Sequence, residues 1–406
     1  MTDSSVDINS VNNFKEHIMF YVGIDVAKDK HDCIIVDSDG KITVPSFTIP
    51  NTLSGFQLLY DKITSSTSDF SAIKIGLEAT GHYSNHIIEF LGNHQFETFV
   101  VNPLHTCLYR KSLSFRKTKT DKIDATLITD LLRTETLKPY CPASDDIKEL
   151  KILTRYRFSL IQDCSRLKVS TTRLINILFP ELDTFMTDLN GNSAHALLSE
   201  YPGAFFVASS HLTKLSNLLH KSSKGHIHKE TCVALREAAR NSVGVYNPIH
   251  ALELQQTIAR IKLIQTQTEE VEALIRNIID RLHPQILTIP GISYTLAAII
   301  LAEIDDFSKF SSAEKVLAFA GLEPSVYQSG QYLSTHAKMV KRGSIYLRYA
   351  LFTAAKCVCN FDSTFHEYLS KKRAEGKPYN VAMSHVAKKL TRVIYCLETQ
   401  SIPYKK

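Results

Sequence analysis

MFYVGIDVAKDKHDCIIVDSDGKITVPSFTI, residues 19–49, reads as three successive β-strands, and the class of the fold turns on it. Residues 19–26 are an apolar run of β-branched and aromatic side chains interrupted by Asp25. Residues 28–30 turn, 31–36 make a second strand, Ser38-Asp39-Gly40 is a hairpin turn, and 42–49 make a third strand. The pattern then changes. Residues 51–63 carry Leu53, Phe56, Leu59 and Tyr60 on one helical face, and 72–77 are a buried-type strand ending at Glu78. Gly81 opens another helix with Ile87, Ile88 and Leu91, and residues 96–101 are a strand closed by Asn102-Pro103. Hairpin strands followed by alternating helix and strand imply an α/β unit, a mixed sheet with helices packed on it.

Downstream lies YRKSLSFRKTKTDKIDATLITDLLR, residues 109–133. Arg110, Lys111, Arg116, Lys117, Lys119 and Lys122 crowd a polar segment that runs into an apolar-periodic helix carrying Asp121 and Asp124. Carboxylates three residues apart share a helix face. Held close, they repel unless a cation sits between them, and a divalent metal is the usual one. The basic flank suggests a phosphate as a further ligand. Asp25, inside an apolar strand, is costly to bury unless paired or metal-bound, and adjacent strands could set it beside Glu78. Taken singly, Asp25 also reads as a turn residue and Glu78 as a helix-capping acid; together with the Asp pair they read as a site.

The chain has 406 residues, 44% hydrophobic and 22% charged, with a net charge of +6. That length implies two or three domains, and the clustering of the basic charge says more than its total. Eight cysteines without CxxC spacing fit a reduced cytosolic protein with no structural zinc. No run reaches the ~18 apolar residues of a membrane span, so no membrane partner is expected. Residues 1–18 read as a flexible tail.

The segments VGIDVAKDKHD, GLEATGHY and RKTKTDKIDA are similar to the DEDD transposases of bacterial insertion sequences, relatives of the pilin-gene inversion recombinase. The similarity extends over nearly the whole chain with the motifs in family order. It implies a RuvC-like, RNase H-type domain over residues 19–145 and a tetrad of Asp25, Glu78, Asp121 and Asp124 holding Mg²⁺. It also implies DNA as substrate and a structured non-coding guide RNA.

Beyond Pro139 the chain turns to long helices. Leu153, Leu160, Leu167 and Leu174 recur at sevens beside Arg155, Arg157, Arg166, Lys168 and Arg173. Later Leu254, Ile261, Ile264, Val271, Ile275, Ile278 and Leu282 occupy a and d positions. Residues 146–284 therefore read as a coiled-coil region with an insert at 183–250. Its seams serve either a homodimer or homotetramer, or an intramolecular hairpin. After Pro284, LTIPGISYTLAAIILAEI resembles a helix-hairpin-helix, with a plain helix corner as the other reading. Residues 285–406 make the C-terminal domain, where PSVYQSG precedes Lys338, Lys341, Arg342 and Arg348 as candidate phosphate contacts. A loop serine near cations can attack a phosphodiester, although a Ser-Gly is more often a turn. The family resemblance makes Ser329 the nucleophile, with Ser325 as the substitute. Tetrad and serine lie in different domains and must be brought together by folding or by a partner subunit. Competing classes are a junction-resolvase-like nuclease using water, and an actin- or sugar-kinase-like ATPase. The latter lacks its phosphate-loop glycines, because Val26, Ala27 and Lys28 follow Asp25.

If the basic loop grips phosphates, Lys117→Ala with Lys119→Ala weakens nucleic-acid binding and flattens its salt dependence, since each lost contact releases fewer counterions. An unchanged slope of log affinity against log salt would remove the loop from the interface.

Overall fold

Asp37 closes the second strand turn. Its carboxylate accepts from the amides of Asp39 and Lys41 at 3.0 and 2.9 Å, and Gly40 supplies the positive φ of 81°. The computed structural model describes residues 18–79, 81–113, 121–323, 328–329, 332–333 and 339–405; the side chains at 113, 121–123, 328–329 and 332–333 lie outside that description. The N-terminal tail, Arg116, Lys117, Lys119, Ser325 and Lys338 also lie outside the described residues. By contacts the chain divides into Met1–Pro142 and Ala143–Lys406.

In the first unit, β1 (Phe20–Val26), β2 (Lys30–Asp37) and β3 (Ile42–Pro50) form an antiparallel meander, followed by α1 (Leu53–Ser66), β4 (Ile73–Glu78), α2 (Asn85–Asn93) and β5 (Glu97–Val101). The sheet order is β3-β2-β1-β4-β5, with β4 parallel to β1 and β5 parallel to β4. Two helices complete the unit, α3 (Pro103–Leu113) and α4 (Asp121–Thr134). Strand alternation assigns the two faces. Val22, Ile24, Cys33, Ile35, Ile73, Ile75 and Leu77 bury against Phe56, Leu59 and Ile63 of α1 and Ile87 and Leu91 of α2. The opposite face presents glycine. Gly23 and Gly76 are paired in register, and α4 lies directly on them. A Cβ on Gly23 would sit 2.2 Å from the Ala125 carbonyl oxygen, and one on Gly76 would sit 2.7 Å from Ile128 and Leu132 side-chain carbons. Arg133, near the end of α4, reaches Gly40 in the hairpin turn beside the start of β1. The helix therefore runs antiparallel to β1, and its first turn lies at the C-terminal ends of β1 and β4.

The second unit is helical. Its frame is an antiparallel pair, α5 (Asp145–Leu178) and α10 (Pro248–Leu282). Arg173–Glu253 at 2.7 Å, Arg157–Glu272 at 2.6 Å and Arg281–Asp146 mark the antiparallel register along its length. Leu150, Leu160, Val271, Ile275 and Ile278 are buried between the pair and the C-terminal helices. The heptad seams thus close within one chain and give no argument for a homodimer or homotetramer. The insert folds as α6 (Asn192–Glu200), α7 (Ala204–Ser209), α8 (Leu212–Ser222) and α9 (Lys229–Arg240), whose apolar faces enclose Leu174, Leu178, Leu254 and Ile258 at the far end of the pair.

Beyond α10, a 3₁₀ turn (Gln285–Thr288) leads through Pro290-Gly291 into the buried α11 (Tyr294–Ile304). Gly291 (φ +94°) would carry its Cβ 3.0 Å from the Cys357 backbone, so this corner is packed on the neighbouring helix. Next come α12 (Ala313–Phe319), a two-residue hairpin of β6 (Gln328–Ser329) with β7 (Tyr332–Leu333), α13 (Ile345–Phe361), α14 (Ser363–Ala374) and α15 (Tyr379–Gln400). Helices on both sides of Pro284 share one core.

An ion pair with its carboxylate buried links α5, α11 and α13. Arg155 donates to both Glu303 oxygens at 2.8 and 3.1 Å, and Ser344, the N-cap of α13, donates to Glu303 at 2.6 Å. Burial works against the Glu303 charge, but these hydrogen bonds outweigh it and hold the carboxyl below its usual range. Arg155, expected as a nucleic-acid contact, is committed to this pair.

Replacing Gly ordinarily stabilises a chain slightly by restricting the unfolded state. At Gly23 the sign reverses: Gly23→Ala forces α4 off the sheet and lowers stability by ~1–3 kcal/mol in urea unfolding. A variant as stable as the parent would show that α4 is not seated there.

Candidate active site

Asp25 and Glu78 each lie two residues beyond the paired glycines, so both share the face on which α4 rests. The parallel register that aligns Gly23 with Gly76 and Ile24 with Leu77 puts them in the next row. Both are half-buried. Asp121 is the first residue of α4, and Asp124, 6% exposed, is one turn in. The backbone thus brings all four expected carboxylate positions to one end of the sheet; the Asp121 side chain lies outside the described residues.

Helix α3 supplies partners that the sequence did not announce. Thr106 donates to Glu78 Oε2 at 2.9 Å, and Arg110, four residues on, donates to Asp124 Oδ1 at 2.5 Å. Their i, i+4 spacing, which sets two side chains on one helix face, was the available signal. Arg110, expected on a phosphate, here neutralises an acid. Asp32 was also passed over. It pairs directly with Asp25 across β1 and β2, on the α4 face, and is 5% exposed. Its Oδ1 accepts from the Thr48 hydroxyl at 2.5 Å and its Oδ2 lies 3.5 Å from Lys30. Strict alternation along KHDCIIVD could have found it. Burial above all, and then the Asp32 and Asp25 charges, push the Cys33 thiol far above its ordinary pKa.

The donors are all carboxylate oxygens, the set that a hard divalent cation takes. Among the described residues no three acidic, histidine or cysteine side chains converge on one point; Asp124 is drawn to Arg110 instead. By donor chemistry the residues fit a hard divalent cation, with the Asp124 charge held by Arg110.

The other expected contacts are spread over the chain. Lys111 is exposed at the end of α3. Arg166 is 76% exposed and pairs with Asp163. Lys122 lies on α4, with its side chain outside the described residues. Lys341 and Arg342 are exposed just before α13, and Arg348 on α13 donates to the Ala320 carbonyl at 3.1 Å. Ser329 is on β6, paired with Tyr332. The flanks of its hairpin are tied together, Val340 N–H to Glu323 O at 3.0 Å and Lys341 N–H to Gly321 O at 3.2 Å.

A transposase family model of the DEDD, IS110 type matches residues 22–180. A second, the transposase IS116/IS110/IS902 family, matches residues 283–370. The chain is a DEDD transposase of the IS110 type. Among its relatives are the pilin gene-inverting protein of Moraxella bovis, 24% identical over 95% of this chain and 98% of that one. An insertion element IS900 uncharacterized 42 kDa protein of Mycobacterium paratuberculosis is 24% identical over 93% and 95%. The transposase for insertion sequence element IS1111A of Coxiella burnetii is 23% identical over 95% and 91%. This transposase is therefore a DNA recombinase of the insertion-sequence kind. Among its described residues no helix is long and apolar enough to cross a membrane.

If a divalent cation competes with Arg110 for Asp124, Arg110→Gln tightens divalent-ion binding by the free transposase several-fold, read with Mn²⁺ by calorimetry. Unchanged or weaker binding would show that Arg110 does not guard the acid.

Proposed function

We propose that this transposase cuts and rejoins DNA through a phosphoserine intermediate in a magnesium-dependent reaction, directed by a non-coding RNA. What supports the metal-dependent part is that the backbone carries the positions of Asp25, Glu78, Asp121 and Asp124 to one end of the sheet, where β1 and β4 end and α4 begins. Asp25, Glu78, Asp121 and Asp124 would hold Mg²⁺, which supplies positive charge beside the phosphoryl oxygens. The serine hydroxyl of Ser329 attacks the scissile phosphorus, losing its proton as the new P–O bond forms. The P–O bond to the neighbouring sugar breaks and leaves a protonated 3′-hydroxyl. The phosphoserine conserves the phosphodiester bond, so a 3′-hydroxyl of the partner strand can reverse the attack without ATP. Lys341, Arg342 and Arg348 place fixed positive charge in the same region of sequence as the serine.

The guide RNA rests on the family resemblance. Arg116, Lys117, Lys119, Lys122 on α4 and the exposed Lys111 are assigned to it. The α5 stripe is a poorer candidate, because Arg155, Arg157, Arg166 and Arg173 each face a carboxylate. A homodimer or homotetramer would need a surface other than the heptad seams. The protein would act on nucleoid DNA in the bacterial cytoplasm.

Asp121→Asn abolishes strand cleavage and leaves DNA binding within about two-fold, because it removes a metal ligand and no cationic contact. Incubation with element-end DNA, followed by denaturing electrophoresis, traps a covalent protein–DNA adduct that is lost in Ser329→Ala. Cleavage without an adduct would make water the nucleophile, and an adduct surviving in Ser329→Ala would move the link elsewhere, first to Ser325.

A further inference from the structure

A cavity of about 680 Å³ lies between α13 and α15, at the tied base of the hairpin that carries Ser329. Ile345, Tyr349, Phe352 and Lys356 recur along one face of α13, and Val381, Ser384 and Lys388 along the facing stripe of α15. Lys341, Arg348, Lys356 and Lys388 bring four cations to this space, and no Asp or Glu is among the described residues lining it. Lys356 is exposed, and Tyr349 is 47% exposed on a wall that also carries Ile345 and Phe352. Tyr349 is held in place by an edge contact with Phe158 at 5.5 Å. Burial, and then Arg392, lower the Lys388 pKa, and the opposing pull of Glu323 is the smaller effect. His385 is likewise pushed down by burial and by Lys388, so it offers hydrogen bonds rather than charge.

We propose that this cavity seats one unstacked nucleotide of a single DNA strand, its base against Tyr349 and Phe352 and its phosphates on Lys341, Arg348, Lys356 and Lys388. The volume falls within the range of small-ligand sites, roughly 300–1,000 Å³, and has room for a nucleotide. Cations alone would suit any polyanion. An exposed aromatic between them favours a ligand that alternates charge with a flat ring, which is the chemistry of single-stranded nucleic acid. The choice of DNA over RNA follows from the position, since Leu322, Met339 and Lys341 line the cavity and also flank the Ser329 hairpin. That choice rests on the proposed role of Ser329: a nucleotide seated there would be a neighbour of the scissile phosphate. Extruding it would expose the linkage, with the base held by stacking instead of by its duplex partner.

The test uses the full chain in a Ser329→Ala background, where no covalent link can form, so binding is read apart from chemistry. Fluorescence anisotropy compares a single-stranded DNA dodecamer, the same sequence as RNA, and the blunt DNA duplex. Tyr349→Ser and Lys356→Gln change exposed side chains, and a matched circular dichroism spectrum and unfolding midpoint establish that each variant folds. Each variant should weaken single-strand binding roughly ten-fold. Lys356→Gln should also lower the salt slope by about 0.7, while Tyr349→Ser leaves it unchanged. Unaltered single-strand affinity overturns the proposal. An equal loss on the blunt duplex would make the region a general cationic surface and also overturns it, as would RNA binding that exceeds DNA binding and fails in the same variants. In the Ser329 parent, variants that form the covalent adduct as the parent does and bind normally sink the cavity proposal alone. Variants that lose single-strand binding in a protein that never forms an adduct sink the phosphoserine reading alone.

Discussion

The contact on which the first unit depends is that of α4 with the two glycines beneath it. Helices are ordinarily held off a sheet by the side chains that stand between them. Here Gly23 and Gly76 remove those side chains from two adjacent strands in the same row, and the Ala125 carbonyl comes down almost onto the backbone. The residues two positions further on, Asp25 and Glu78, then face the first turn of the helix. The same spacing of glycine and acid recurs in both strands, G-x-D in VGIDV and G-x-E in IGLE. A side chain at either glycine would lift the helix that carries Asp121 and Asp124 away from the other two acids.

Much of this architecture is written locally. Strands appear where β-branched residues run between turn signals, and the boundaries read from the sequence lie within a residue or two of β1, β2, β3 and β4. Asp25 and Glu78 were legible because an acid inside or ending an apolar strand is conspicuous. Less legible were relations set by pairing at a distance. Asp32 looks like an ordinary polar residue of a hairpin until β2 is laid against β1 in register. Thr106 and Arg110 look like an unremarkable face of a basic helix until α3 is brought against α4. The heptads of α5 and α10 specify an apolar seam but not whose seam faces whose. The charge pairs along them, from Arg173–Glu253 to Arg281–Asp146, identify the partner as the same chain running the other way.

The charges themselves divide into two kinds. Arg155, Arg157 and Arg173 of α5 and Arg110 of α3 are paired with carboxylates of other elements. The cations around α13 and α15 have no acid among the described residues lining their cavity. Counting basic residues in the sequence treats both kinds alike, and only the packing separates positive charge that is internally neutralised from positive charge that still faces outward. The overall charge of +6 conceals this difference.

The α5–α10 pair has a mechanical consequence. Helices of 34 and 35 residues rise ~50 Å from end to end, with one core packed at the C-terminal base and a separate small core at the tip. Such a strut behaves as a lever: a tilt of roughly 5° at its base displaces the tip by about 4 Å. The helices of the insert are therefore placed to sense or deliver small rotations at long reach.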